Sequence, residues 1–281
     1  MKYIPEDKLR KICEEVNGTY GLYVSLPERG EKLTISAQER FNSASTIKIP
    51  LLALLLKDIE DGRLDATIPM PLRDDCRVWG SGVLKSMSSD FLLTLYDYAV
   101  LMIIVSDNSA TNQIIEMVGL DRANEFFAQN GWKDTHLAGK LFQPKPLLPD
   151  GTEDFNYTTA ADLGDMMEKV LAGKLVSKSV SDQMMQIMAA QQLGKVTPLL
   201  PVKRYADTRR PLPPAPEAGK VLVCSKTGSL TNKVAHDTAA LILPDGTRAV
   251  LTVCTATSSN AKAEAIMARI GKAFYGHLAG L

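Results

Sequence analysis

The apolar positions of this chain fall into blocks of changing period. Leu9, Ile12, Cys13 and Val16 recur at helical spacing and predict a first helix over 5–16, closed by Gly18. Runs at 20–26 and 32–36 read as strands, and the turn-like PERGE between them makes a hairpin. A long apolar helix is predicted over 45–61, stopped by Gly62. The middle of the chain is mostly helical, with apolar periodicity at 93–105, 109–118, 122–130, 160–171 and 179–190. Two stretches break it, a loop at 138–157 and a Pro-rich surface connection at 201–216. Strands return at 220–226, 236–243 and 247–257, the last two joined by the turn Pro244-Asp245-Gly246, and an amphipathic helix at 261–277 ends the pattern.

This order predicts an α/β fold of the α+β type. One antiparallel five-stranded sheet is built from both chain ends and flanked by helices, with an all-helical region inserted between them. The corresponding division is a discontinuous sheet domain, 1–44 and 215–281, and a helical domain, 45–214, with a site expected at their junction. A length of 281 residues suits one large domain or two closely joined ones.

Charge narrows the partners. Lys+Arg and Asp+Glu both number 32, so the net charge is zero, which argues against nucleic acid or an anionic membrane surface as the main partner. The longest apolar candidate, 47–56, contains Lys48 and Pro50 and stops at Lys57-Asp58, short of the roughly 20 residues that span a bilayer. The first residues, MKYIPEDKLRKICEE, lack the apolar stretch of a signal peptide. A cytoplasmic protein is expected from the sequence as written, a periplasmic or secreted one if a leader has been removed. Cys13, Cys76, Cys224 and Cys254 have no CxxC or zinc-knuckle spacing and read as buried small hydrophobes. With only three histidines, His136, His236 and His277, no metal site is expected.

Three short segments could carry chemistry. Ser45 stands at the start of the long apolar helix, and Lys48, three residues on, shares its face. Unpaired N–H groups and the positive end of the helix dipole would stabilise an alkoxide at Ser45. Among Ile49, Leu51, Leu52, Leu54 and Leu55 a lysine would be desolvated, and its pKa lowered toward that of a usable base. The plainer alternative is a helix cap followed by a surface lysine. Ser106-Asp107-Asn108 lies between two helical segments, either as an ordinary cap or as a hydroxyl and an amide facing a cleft. Ser225-Lys226-Thr227-Gly228-Ser229 ends an apolar strand. It is either a strand-end turn or a set of ammonium, hydroxyl and N–H groups for a carboxylate, with Gly228 allowing a close approach.

The combination is more specific than its parts. Ser–x–x–Lys, then Ser–Asp–Asn 61 residues later, then Lys–Thr–Gly a further 120 on, resembles the signature of class A β-lactamases and penicillin-binding proteins. The run Gly80-Ser81-Gly82-Val83-Leu84, the stretch IIVSDNSATN and the helix start Tyr157-Thr158-Thr159-Ala160 are similar to that superfamily too. The resemblance implies a β-lactamase/transpeptidase-like fold and assigns roles. Ser45 would be the acylated nucleophile and Lys48 would help deprotonate it. Ser106 would pass the proton to the leaving nitrogen, and Asn108 would bind the substrate's amide side chain. Lys226 and Thr227, with Gly228 behind them, would hold the substrate carboxylate, and Lys226 would keep Lys48 neutral by like-charge repulsion. The backbone N–H groups of Ser45 and Ser229 would form the oxyanion hole. Trp79 would cover the mouth of the cleft. No cofactor is implied, the partner is a small-molecule substrate, a β-lactam or a related amide or ester, and a monomer is expected.

Two departures qualify the resemblance. Class A β-lactamases carry Glu–x–x–Leu–Asn in the loop before the Thr-Thr helix, where the Glu activates the deacylating water. Here that loop reads LAGKLFQPKPLLPDGTEDFNYTT and offers only Glu153 or Asp154 as a substitute base. Many family members also place an Arg on the strand after Lys–Thr–Gly to reinforce carboxylate binding, whereas this chain has Lys233, Ala235, His236 and Asp237, of which His236 is the candidate. The leading expectation is therefore a serine hydrolase with a Ser45 acyl-enzyme, acting on β-lactams with weak deacylation. A D-alanyl-D-alanine-type peptidase, an esterase of the same fold, or a penicillin-binding protein without turnover remain as alternatives.

Overall fold

The computed structural model describes residues 3–88 and 90–280. Its strands are β1 (Gly18–Leu26), β2 (Glu31–Ile35), β3 (Arg40–Asn42), β4 (Met70–Pro71), β5 (Leu92–Leu93), β6 (Tyr157–Thr159), β7 (Val202–Lys203), β8 (Val221–Leu230), β9 (Val234–Ile242) and β10 (Arg248–Thr257). Its helices are α1 (Glu6–Cys13), α2 (Lys48–Glu60), α3 (Leu95–Ile104), α4 (Asn108–Val118), α5 (Leu120–Gln129), α6 (Ala160–Leu171), α7 (Lys178–Ala189) and α8 (Asn260–Leu278). The main sheet has the order β2-β1-β10-β9-β8-β7.

The α+β class expected from the sequence is the one observed, with a difference at the sheet edge. The five long strands pair antiparallel, and a sixth, β7, runs parallel to β8 through Val202↔Val221 and Lys203↔Leu222. It lies in the Pro-rich stretch read as a connection. Proline is tolerated at an edge because an edge strand needs few donors, and here Pro201 only accepts, from the Val221 N–H at 3.0 Å. The predicted helix at 45–61 is also two pieces, a 3₁₀ turn over Ala44–Ile47 followed by α2.

Strand alternation sends side chains to two cores. Leu22 and Val24 of β1 pack with Leu9 and Ile12 of α1 and with Ile266, Met267 and Phe274 of α8. Tyr23, Cys224 and Cys254 face the other side, where α2, α6 and α7 bury a larger cluster. Every residue of β9 is buried, as a central strand covered on both faces requires. The four cysteines are buried and free, as their spacing suggested.

Close approaches fix how the layers meet. A Cβ on Gly271 of α8 would lie 1.8 Å from the Val196 carbonyl oxygen, so the loop after α7 rests directly on the helix backbone. Gly271→Ala is expected to lose about 1–3 kcal/mol of stability by overpacking, seen as a lower urea midpoint at unchanged slope.

Candidate active site

The two-stranded sheet β3–β6 sets the first piece. Phe41↔Thr158 pairing brings the end of the 138–157 loop beside residue 43, and the Ser43 N–H donates to the Asn156 carbonyl at 2.8 Å. Ala44 then takes a positive φ of 44°, its N–H donating to Asn42 Oδ1 at 3.0 Å. This turn starts the 3₁₀ segment that carries Ser45, whose N–H belongs to a first helical turn.

Strand β8 runs against that turn. A Cβ on Gly228 would lie 3.0 Å from the Ser43 oxygen and 3.1 Å from the Ser45 nitrogen. A side chain there would push the turn back by a few tenths of an ångström, so Gly228 lets the strand pack closely on the backbone that carries Ser45.

The Ser106-Asp107-Asn108 turn forms the opposite wall. Ser106 has φ 56°, a strained conformation for a non-glycine residue. Asp107 holds it in place, accepting from Val83 N at 2.6 Å, Leu84 N at 2.9 Å and Ala110 N at 3.0 Å. The Gly-Ser-Gly run is thereby tied to the cap of α4, and Gly82, at φ +104°, is needed because a Cβ there would meet the Asp107 carboxylate at 2.2 Å. Asn108 Nδ2 donates to the Trp79 carbonyl at 3.2 Å.

Two buried amines converge on Ser106. Lys48 Nζ lies 3.0 Å from Ser106 Oγ, 2.7 Å from the Ser106 carbonyl oxygen and 2.8 Å from Asn108 Oδ1. Lys226 Nζ lies 3.0 Å from the same Ser106 Oγ and 2.7 Å from the Thr227 carbonyl oxygen. Both lysines are fully buried. Burial first, and then the Lys226 charge, hold the Lys48 amine well below the ordinary lysine range, against the opposing pull of Asp107. Burial likewise brings Lys226 down to about 7, with Asp237 opposing and Lys195 reinforcing the shift. A neutral Lys48 has two N–H groups, matched by the Ser106 carbonyl and Asn108 Oδ1, and one lone pair left to accept a proton.

Ser45, Asn108 and Ser229 line one cavity of about 610 Å³, together with Leu141, Phe142, Gln143 and Lys145 of the loop. A larger groove of about 1210 Å³ between α1 and α8 shares none of these residues and none of the buried amines. Asn108, whose Oδ1 accepts from Lys48, joins the wall of the smaller cavity to the buried amines behind it.

Several sequence candidates sit elsewhere than expected. His236 is wholly buried, with Nε2 2.8 Å from the Asn42 carbonyl and Nδ1 accepting from the Thr255 N–H at 3.2 Å. Both ring nitrogens are used, and burial lowers its pKa to about 4, so the expected substrate contact is replaced by a neutral strut beneath β3. The Trp79 side chain is 82% exposed and does not line the cavity. Glu153 and Asp154 do line it, but both are engaged. Glu153 accepts from Lys145 N at 3.0 Å, and Asp154 Oδ2 lies 2.9 Å from His136 Nε2 while its Oδ1 accepts from Phe155 N at 2.8 Å.

Phe142 and Lys195 are the residues that sequence reading passed over. Phe142, at φ 55°, brings its ring against Gly80. Lys195 lies in the loop after α7, far from any motif, and nothing in its local pattern marks it.

The chain belongs to the beta-lactamase enzyme family, whose model matches residues 4–278. It is 26% identical over 176 residues to the β-lactamases CARB-3 and PSE-4 of Pseudomonas aeruginosa, a match over 62% of this chain. It spans 59% of the length of those curated relatives. Among solved structures, a β-lactamase from Sphaerobacter thermophilus superimposes with a TM-score of 0.83 at 29% identity, covering 99% of both chains. The structure of PBP-A, at 23% identity and a TM-score of 0.81 over 98% of this chain and 96% of that one, shares the fold.

Proposed function

We propose that this protein is a serine acyl-transfer hydrolase that opens β-lactams through an acyl-enzyme on Ser45. The observation that carries the reading is the pair of buried amines, Lys48 and Lys226, both 3.0 Å from Ser106 Oγ beside the Ser45 cavity. In the acylation step Lys48 takes the Ser45 proton while Ser45 Oγ bonds to the lactam carbonyl carbon. The C–N bond of the ring breaks, and Ser106 delivers a proton to the leaving nitrogen, replenished along the Lys48–Ser106–Lys226 chain. The Ser45 and Ser229 N–H groups receive the oxyanion, Asn108 takes the acylamino side chain, and Lys226 with Thr227 holds the carboxylate.

Deacylation is slow on this reading. The loop carboxylates are partly engaged, Glu153 Oε1 by the Lys145 N–H and Asp154 by His136 and the Phe155 N–H, and neither stands in the Glu–x–x–Leu–Asn pattern that would orient a water toward the ester. The same observation favours a penicillin-binding protein or peptidase as the second reading. Intact-mass spectrometry of the protein with a penicillin, followed over time, tests both. A persistent adduct of one penicillin mass is expected. An adduct that vanishes as hydrolysed penicillin accumulates means efficient turnover, and the absence of any adduct on folded protein overturns the β-lactam assignment.

A further inference from the structure

The groove of about 1210 Å³ between α1 and α8 lies apart from the Ser45 cavity and shares no residue with it. We propose that it binds a single-chain anionic amphiphile, with the hydrocarbon chain on its apolar floor and the head group, a carboxylate or a phosphate, among the lysines of its rim.

The groove exists because the two helices differ in length. α1 has 8 residues and α8 has 19, so α1 covers only part of its neighbour. The flank left open is bordered by Leu199, Pro201 and the β9–β10 turn at Leu243–Asp245. Ile12, Leu243 and Ala273 on the floor are buried, and Tyr275 and Leu278 pack partly buried against the same core. Leu199, on the wall, is 52% exposed. The apolar floor is thus continuous with the core beneath it, and a chain laid along it would leave water over much of its length.

Charge selects the occupant. The acids of the lining are already engaged. Glu15 accepts from Arg269 Nη1 at 2.5 Å and Nη2 at 2.7 Å, and Asp245 accepts from the Thr247 N–H and Oγ1, both at 2.9 Å. The side chains of Lys8, Lys11 and Lys272 are exposed and have no hydrogen bond or ion pair among the described residues. Unpaired cations therefore border an apolar surface whose anions are occupied. An extended peptide would fit poorly, because helix walls have their backbone groups paired internally and offer its N–H and C=O groups no partners. A hydrocarbon chain has none to satisfy. The zero net charge of the chain gives no general attraction to an anionic membrane, whereas a single head group needs only the local rim.

Titration calorimetry of the protein with decanoate, kept below the concentration at which it forms micelles, tests the proposal. One molecule is expected to bind per chain, and dodecanoate should bind about tenfold tighter because two more methylenes leave water. Decyltrimethylammonium, with the same chain and the opposite charge, should bind at least about tenfold more weakly than decanoate. Decyl phosphate separates the two head groups: tight binding of either anion supports the site, and the tighter one identifies the head. Lys11→Glu combined with Lys272→Glu, two exposed positions, should cost the anions about tenfold and remove the disadvantage of the cation. Leu199→Asp should weaken all the chains, with melting temperatures of both variants unchanged within a few degrees. The absence of 1:1 binding, equal affinity for anionic and cationic chains, or an affinity that neither variant moves would overturn the proposal. None of these readouts involves Ser45, so the outcome is independent of the acyl-transfer reading.

Discussion

Replacing Ser45 with alanine should abolish the penicillin adduct and lower β-lactam turnover by about 10⁴- to 10⁶-fold, the scale seen when a serine nucleophile is removed from an otherwise intact site. The loss should appear in kcat rather than in folding. Ser45 is half-buried at the cavity wall, and the surrounding turn is held by other groups, the Asn42 side chain, the Asn156 carbonyl and the Gly228 contact. Thermal melting of the variant should match the wild type within a few degrees. An adduct of unchanged mass and rate on Ser45→Ala would move the nucleophile elsewhere and sink the proposed mechanism.

The second large effect is a change in the shape of the pH profile. Burial brings Lys226 down to about 7, so its ammonium is lost as pH rises through neutrality. With it goes the charge assigned to the substrate carboxylate, and kcat/KM for a carboxylate-bearing penicillin should fall about tenfold per pH unit on the alkaline side. On the acid side the sign is opposite. Lys48 must be neutral to take the Ser45 proton, and its depressed pKa keeps it so until the solution is well below the ordinary lysine range. Lys226→Arg is the discriminating variant, because a guanidinium stays charged throughout. Its absolute rate will suffer from a larger side chain in a closed space, but its alkaline limb should disappear. An alkaline limb at the same pH in Lys226→Arg would show that another group titrates there.

Much of this site was readable before the fold was known. Ser45, Lys48, Ser106, Asn108, Lys226 and Thr227 sit in three short motifs whose order and spacing carry a resemblance, and the structure brings all three to one place. The five long strands and eight helices were also legible, because periods of two and 3.6 persist over seven or more residues in most of them. Elements of two or three residues were not. Strands β3, β6 and β7 have no period to detect, and they form only because neighbouring backbone is already there to pair with. Yet β3 and β6 are what bring the 138–157 loop against the Ser45 turn.

His236 shows where local reading fails. Its place on the strand after Lys–Thr–Gly suggested a contact with substrate, but strand alternation and the Asn42 carbonyl turn the ring inward. Lys195 is the converse case, a loop residue without a motif that Asp237 and Gly271 lock beside the substrate end of β8.

Fold class, family resemblance and the residue types available for acyl transfer follow from periodicity and from spacing along the chain. What those groups can do follows from how the chain packs. Whether a lysine is a base depends on how completely it is removed from water and on which charge faces it, and both Lys48 and Lys226 owe their depressed pKa values to burial between α2, α4 and β8. Which partners the loop carboxylates find, and where a loop cation such as Lys195 comes to rest, depends on contacts that no local pattern encodes.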